Sequence, residues 1–229
     1  LSLPAQVVAS FVDDEVNLLL DLESEREVAL SLVPLGFSPA RPADPAPTME
    51  RLSLATTTLS ATEVDYPAIR AMHTASSLTS PDEVAAWRDP SKLTPQPAPA
   101  GELIPLSIPP REALPRDPLE KVIARRGSSR HFEATPISFE ALATILEVAT
   151  ERIPADFLNP STAWLNDPYL IVNAVDSLAS GAYLFRRERK SLELLKVGDF
   201  RQEAGYLDLG QALAADAAVN VYFLADMGP

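Results

Sequence analysis

Proline is spread very unevenly along this chain, and its distribution constrains the fold more than any other feature. Of the 22 prolines, 15 lie between Pro39 and Pro118, and the other seven are scattered over the remaining 149 residues. A proline ring fixes φ and removes a backbone donor, so a proline-dense stretch is excluded from helix interiors and central strands. Residues 38–116 are therefore predicted to form a connector, with residues 38–65 and 90–116 extended or mobile because their prolines prevent ladder and helix pairing.

Regular structure is predicted on both sides of the connector and in two short helices within it. Capping residues, with Asp13, Ser80 and Ser138 as expected amino-terminal caps, hydrophobic periodicity and turn residues set the bounds. The expected helices and strands are helices over 13–20, 66–78, 81–87, 119–126, 139–150 and 203–215, strands over 28–33, 169–175 and 219–225, and a hairpin of 182–185 with 192–195. Because the repeated β-α-β order of a doubly wound sheet is missing, the fold class is predicted to be α+β.

Composition excludes several classes of function. The chain has no cysteine, which excludes disulfides, thiolate metal sites and a cysteine nucleophile. It has two histidines, His73 and His131, and neither lies in a metal-binding or catalytic motif, so no metal site is predicted. The net charge of −13 disfavours binding to nucleic acid or to an anionic membrane, and no apolar run is long enough to span a bilayer. These features predict a cytoplasmic protein.

Residues 125–130, which read Arg-Arg-Gly-Ser-Ser-Arg, concentrate basic and hydroxyl side chains on an otherwise acidic chain. Guanidinium groups bind phosphate oxygens in pairs, and Gly127 allows close backbone approach, so this segment is a candidate phosphate site. The alternative is that Arg125 and Arg126 complement the carboxyl end of the preceding helix, with the serines in a turn. The sequence leaves both interpretations open.

A second basic run lies at the expected hairpin tip and includes Arg186, Arg187, Arg189 and Lys190. Charged residues at such a tip are usually solvated, and no function is predicted for them. Trp87 and Trp164 are interpreted as buried or half-buried anchors.

The segment from residue 126 resembles the start of the nitroreductase-like flavoproteins. Residues 126–132 read Arg-Gly-Ser-Ser-Arg-His-Phe, and residues 136–149 read Pro-Ile-Ser-Phe-Glu-Ala-Leu-Ala-Thr-Ile-Leu-Glu-Val-Ala, similar to the family's Arg-x-Ser-x-Arg loop and the helix that follows it. Residues 169–185 and 191–199, with Gly181, Tyr183, Gly198 and Asp199, are closer to one branch, the SagB-type dehydrogenases. We therefore interpret the chain as a relative of that branch.

The amino-terminal residues resemble the opposite end of the same family. Residues 11–20, Phe-Val-Asp-Asp-Glu-Val-Asn-Leu-Leu-Leu, and residues 34–36, Pro-Leu-Gly, are similar to its carboxyl-terminal segment. The resemblance implies a piece of a longer tandem polypeptide. Residues 1–37 would be the end of a first nitroreductase-like domain, residues 38–116 the connector, and residues 117–229 the first half of a second domain.

The resemblance also implies a fold, a cofactor and a set of site residues. Members have an antiparallel sheet flanked by helices, and two domains interlock as a dimer or, in a tandem chain, as a pseudo-dimer. FMN lies between them and relays hydride from a nicotinamide or azoline donor to a small-molecule or peptide substrate. By position, Arg126, Ser128 and Arg130 would hold the phosphate and ribityl, and Pro160 and Ser161 would line the flavin. No catalytic residue is identified.

Departures from the family pattern leave a second function open. Trp164 is expected to crowd the flavin edge, and the Lys–Tyr pair proposed as acid and base in azoline oxidation has no clear match. The alternative is a degenerate, non-catalytic nitroreductase-like domain that acts as a scaffold or peptide-binding module. A third and weaker interpretation is a proline-rich adaptor without a cofactor.

Overall fold

The computed structural model describes residues 3–36, 50–53, 55, 57, 60–88, 96–151, 153–157 and 164–225. Within this part the helices are α1 Asp13–Leu19, α2 Pro67–Ser76, α3 Pro81–Trp87, α4 Leu119–Arg125, α5 Phe139–Ala149, α6 Arg201–Leu207 and α7 Ala212–Asp216. The strands are β1 Leu103–Pro105, β2 Asp167–Val172, β3 Gly181–Arg186, β4 Ser191–Val197 and β5 Val219–Leu224. Short 3₁₀ turns occur at Arg111–Ala113 and Arg187–Arg189.

The five strands form one antiparallel sheet in the order β1-β4-β3-β2-β5. Tyr169 of β2 lies opposite Leu184 of β3 on one side and Tyr222 of β5 on the other. The predicted hairpin is present as β3 and β4, with an irregularity between Ala182 and Tyr183. Helices together with an antiparallel sheet confirm the predicted α+β class.

The chain divides into two compact units, which are described separately. Unit 1 comprises Leu1–Leu93 and Ile153–Ala163, and unit 2 comprises Thr94–Arg152 and Trp164–Pro229. The domain bounds implied by the resemblance (1–37, 38–116 and 117–229) concern a tandem arrangement, and they stay a prediction.

Unit 2 contains the main hydrophobic core, built where α5 covers the sheet. Leu142 and Leu146 are one helical turn apart, so both project from the same face of α5. They pack with buried side chains of β2 to β4, namely Leu170, Val172, Tyr183, Phe185 and Leu192, and with Val175. Ser138 accepts a hydrogen bond from the Ala141 amide at 3.1 Å and starts α5 where the sequence places it.

Unit 1 contains α1, α2 and α3. The Ser80 hydroxyl accepts from the Glu83 amide and Pro81 occupies the first turn, so α3 begins as predicted. Asp13 was expected to cap α1, but it is the first helical residue, and its carboxylate instead accepts a bond from the Leu78 amide at 2.7 Å. The strand expected over 28–33 is wrong, because this segment makes an isolated bridge between Leu32 and Val8 and no continuous ladder.

Two further expectations in unit 2 need correction. The single helix over 203–215 is two helices, because Leu209 and Gly210 both have positive φ, at 59° and 76°, and turn the chain between them. The rule that proline prevents ladder pairing in the connector fails at β1, which pairs with β4 at the edge of the sheet. Pro105 is tolerated there because it is the last residue of an edge strand.

Candidate functional site

The predicted phosphate segment lies in an exposed loop between α4 and α5. Residues 126–136, here called the arginine loop, have no regular secondary structure. Arg125, in the last turn of α4, forms an ion pair with Asp117 at 2.8 Å. The Arg125 guanidinium is thus held by a residue that precedes the amino end of α4, and Arg126 lies beyond the helix as its carboxyl-terminal cap.

The three predicted phosphate ligands have no other task in the described part of the chain. Arg126, Ser128 and Arg130 are exposed, and their side chains make no hydrogen bond or ion pair with another described residue. Two guanidinium groups with a hydroxyl between them are thus available to an anion. Their role in phosphate binding stays a prediction.

An apolar cavity of about 320 Å³ begins two residues after Arg130. Its walls come from the arginine loop, from α5 and from the start of β5, through Phe132, Leu142, Ile145, Val219 and Val221. Glu133 and Asp216 also line the cavity and make its electrostatic potential more negative. Its volume lies at the lower end of the range of small-molecule sites in proteins, roughly 300 to 1,000 Å³.

Ile137, which follows the arginine loop and also lines the cavity, is fixed to the segment after β2. The Ile137 amide donates to the Ala174 carbonyl at 3.1 Å, and the Asp176 amide donates to the Ile137 carbonyl at 2.9 Å. Within the loop, Ala134 has φ +54°, a left-handed conformation that costs about 1 to 2 kcal/mol for a residue with a Cβ.

Trp164, the residue expected to crowd the flavin, is not among the residues that line this cavity. Pro160 and Ser161 lie outside the described residues. Trp164 lines a different cavity, of about 500 Å³, together with Phe185, Arg187 and residues of the 108–114 segment. The expectation that Trp164 crowds a flavin therefore does not apply to the recess beside the arginine loop.

The second basic run is not simply solvated: the expectation is wrong for Arg186 and Arg187, while Lys190 stays exposed. Arg186 is buried and bonded to Glu193. The Arg187 guanidinium lies 4.3 Å from the centre of the Trp164 ring and donates to the Asn166 side chain at 2.7 Å. Lys190 pairs with Glu147 at 2.6 Å. Residues 96–101 cover part of the hairpin and remove Arg186 from solvent.

Unit 1 contains a charged cluster that the sequence did not reveal. Asp156 accepts from the Ala9 and Ser10 amides, at 3.0 and 3.3 Å, and from Arg88 at 2.9 Å. Burial alone would raise the pKa of the Asp156 carboxyl, but these donors and the Ser10 hydroxyl outweigh burial and hold its pKa below the ordinary value. All these donors bond to Asp156 within unit 1, so the cluster ties residues 153–157 to the rest of that unit.

The remaining candidates are structural or unremarkable. The Ser77 hydroxyl donates to the His73 carbonyl at 2.9 Å, and His131 is exposed. Among the described residues, no group of three or more acidic or histidine side chains is arranged to hold a metal ion. No helix in this described part is long and apolar enough to cross a membrane.

Comparison with known proteins identifies the fold. No protein-family model and no curated protein matches the chain. Among solved structures, a protein of Anabaena variabilis that is provisionally assigned as a nitroreductase aligns with 97% of this chain, with a TM-score of 0.63 and 19% sequence identity. The alignment covers 46% of that protein, so this chain spans about half its length. The chain therefore has a nitroreductase-like fold, as its sequence resemblance implied.

Proposed function

We propose that this chain is part of an FMN-dependent oxidoreductase of the nitroreductase class, in the SagB-type dehydrogenase branch. The observation that carries the proposal is the continuity of the arginine loop with the apolar cavity. One loop presents two uncommitted guanidinium groups and, two residues later, begins the wall of an apolar recess. A ligand with a phosphate at one end and a flat, largely apolar ring at the other matches both parts.

The residues of the loop fit the phosphate end of FMN. Arg126 and Arg130 would each donate two parallel N–H hydrogen bonds to phosphate oxygens, and the Ser128 hydroxyl would donate an O–H hydrogen bond. None of these side chains would have to break an existing bond with another described residue to do so. The chain is otherwise acidic, so this loop is also where attraction of an anion is concentrated.

The cavity would hold part of the ring. Leu142, Ile145 and Val219 would exclude water from it, and Glu133 and Asp216 would disfavour an anionic second substrate. FMN, when bound, supplies hydride transfer through its N5 atom. A nicotinamide donor and a small-molecule or peptide acceptor complete the proposed reaction class. Pro160 and Ser161 are kept as flavin contacts on the resemblance alone, and no catalytic residue is assigned.

We also propose that the chain pairs with a second nitroreductase-like domain, of the same polypeptide or of a second copy. The Anabaena protein is about twice as long, which supports a tandem polypeptide. Neither α2 nor α4 buries a residue in the described part of the structure, and Ile69, Met72, Leu119 and Ile123 are exposed. Apolar side chains of this kind are typical of surfaces that another protein covers. A cytoplasmic location and the absence of nucleic-acid or membrane partners remain predictions from composition.

One observation favours the alternative function, a degenerate domain that serves as a scaffold or peptide-binding module. The resemblance links azoline oxidation to a Lys–Tyr pair, and no lysine or tyrosine is among the described residues that line the cavity beside the arginine loop. A domain of this kind would keep the fold without the reaction.

The test replaces both loop arginines in the full-length protein and measures ligand affinity. If Arg126 and Arg130 bind the phosphate, the change of both to Ala removes charge-assisted bonds worth about 1.5 to 3 kcal/mol each. FMN affinity, measured by quenching of flavin fluorescence, should then fall by at least about a hundredfold. Riboflavin has no phosphate, so its affinity should hardly change.

A charge-matched control removes two arginines elsewhere in unit 2. Arg111 and Arg189 are both exposed, so the double change to Ala lowers the net charge equally without touching the loop. This control should leave FMN affinity within about twofold. Equal losses for FMN and riboflavin in the loop variant would instead give the loop a structural role. A wild-type protein that binds neither compound would favour the scaffold.

A further inference from the structure

Part of the proline-rich connector is built into the sheet of unit 2. Gln96 to Leu106, here called the strap, lies along the β3–β4 hairpin and includes β1, which pairs with β4. The Leu106 amide donates to the Lys190 carbonyl, and the Leu194 amide donates to the Glu102 carbonyl, both at 2.9 Å. Without the strap, β4 would be an edge of the sheet.

A buried ion pair holds the strap by its main chain. One oxygen of Glu193 accepts from the Ala100 and Gly101 amides at 2.7 and 2.8 Å, and the other accepts from Arg186 at 2.6 Å. Arg186 in turn donates to the Pro97 carbonyl at 2.7 Å. The two charged side chains are only 7% and 2% exposed. Removal of two charges from water is unfavourable unless partners replace the water, and the backbone of the strap supplies several of those partners.

The hairpin also selects the shape of the strap at one position. A Cβ on Gly101 would lie well inside contact distance of the Leu194 carbonyl oxygen, a backbone atom that cannot turn away. Glycine is therefore required where the strap passes closest to β4. Around it the contacts fall mainly on backbone atoms, as in recognition of an extended peptide by a sheet edge.

We propose that the β3–β4 hairpin is an acceptor site for an extended peptide strand, and that its occupant is this chain's own strap. Arg186 and Glu193 are the recognition residues. Glu193 accepts hydrogen bonds from two consecutive amides of the strand, and Arg186 donates to one carbonyl. β4 then pairs with residues 103–105. This inference does not depend on a flavin.

Occupancy of the site is coupled to the larger cavity of unit 2. The chain runs directly from the strap into Ile108, Pro109 and Leu114, which form one wall of the cavity of about 500 Å³ that Trp164 also lines. When the strap leaves β4, this wall loses one of its attachments and keeps the ion pair between Arg111 and Glu151. The hairpin thus links the position of the connector to the shape of that cavity.

The test uses two single variants of the full chain and a peptide probe. Gly101→Ala should displace the strap and leave Arg186 and Glu193 in place, whereas Glu193→Gln should weaken the site itself. In both variants, exchange protection of the Ala100, Gly101 and Leu106 amides should fall at least about tenfold, while amides of the β2–β3 ladder stay protected. Gly127→Ala is the control, because a Cβ there meets open space.

A fluorescein-labelled peptide of residues 96–106 then probes the emptied site by anisotropy. The wild-type chain holds its own strap at high effective concentration and should bind the peptide weakly. The Gly101→Ala chain should bind it at least about tenfold more tightly, and the Glu193→Gln chain should not.

Three results would overturn the proposal. These are unchanged strap protection in both variants, equal peptide binding by the wild type and Gly101→Ala, and loss of β2–β3 protection together with the strap in both variants. If Gly101→Ala alone fails to fold, the Glu193→Gln protection pattern decides: selective loss at the strap supports the site, and any other pattern rejects it.

Discussion

The buried ion pair of unit 2 should show strong energetic coupling when its two members are replaced singly and together. Arg186→Met and Glu193→Leu keep side-chain volume and remove one charge each. Arg186→Met leaves the Glu193 carboxylate with the Ala100 and Gly101 amides as donors. Loss of one partner of a buried pair costs about 3 to 5 kcal/mol, and we expect the lower end here because these donors remain.

Glu193→Leu should cost more than Arg186→Met. It leaves a buried guanidinium, which keeps the Pro97 carbonyl, and it also orphans the two amides. Each orphaned amide adds roughly 1 to 3 kcal/mol, so the total should lie at or above the upper end of the range for a broken pair. The double variant buries no charge, so its loss should be smaller than the sum of the single losses by at least about 2 kcal/mol.

Urea unfolding followed by tryptophan fluorescence measures these free energies. A Trp87→Phe background removes the tryptophan of unit 1, so the signal comes from Trp164 in unit 2. If the single losses add to within about 0.5 kcal/mol, the two charges do not stabilise each other, and the description of the strap contact is wrong. If Arg186→Met is the costlier single change, the role given to the two amides is wrong.

Two further predictions concern pH and the core. Burial alone would raise the pKa of Glu193 and of Asp156, but their hydrogen-bond partners outweigh burial and hold both pKa values below the ordinary ones. Both carboxylates therefore stabilise the fold at a pH above their ordinary pKa, and this contribution is lost as the pH falls through their lower pKa in the folded state. The free energy of unfolding should therefore drop below about pH 4, and less steeply in Asp156→Asn, whereas an unaltered slope in that variant would contradict the assignment. Leu142 is 1% exposed, so Leu142→Ala should cost about 2 to 5 kcal/mol in urea unfolding. Ile145 of the same helix is 52% exposed, so Ile145→Ala should cost clearly less, and equal losses would mean that the cavity beside α5 is already closed.

The sequence predicted elements whose signals are local. The start of α5 follows from Ser138 and the apolar spacing after it, and the β3–β4 hairpin follows from two apolar runs around a charged turn. The strand expected over 28–33 failed because β-forming residues need a partner strand, and only Leu32 finds a bridge within the described residues. Propensity alone cannot show whether that partner exists.

The candidate site likewise combines a part with a local sequence signal and a part that only the fold brings together. Arg126, Ser128 and Arg130 are neighbours in sequence, so the loop could be found without a structure. The cavity could not, since Phe132, Leu142 and Val219 meet only after β5 joins the sheet. The burial of Arg186 also required knowledge of the fold, because it depends on a proline segment about 90 residues earlier in the chain. The one sequence signal for this buried ion pair was Glu193, a charged residue between Leu192 and Leu194 in an otherwise apolar strand.

The Asp156 cluster has a consequence for synthesis on the ribosome. Arg88 and Asp156 are 68 residues apart in sequence, and Ser10 is 146 residues from the same carboxylate. At a translation rate of roughly 5 to 20 residues per second, Asp156 is synthesised some 3 to 14 seconds after Arg88. During that interval the nascent amino-terminal unit carries an arginine and two backbone amides whose final acceptor does not yet exist. The packing of unit 1 around Asp156 can therefore be completed only after residues 94–152 of unit 2 have been translated.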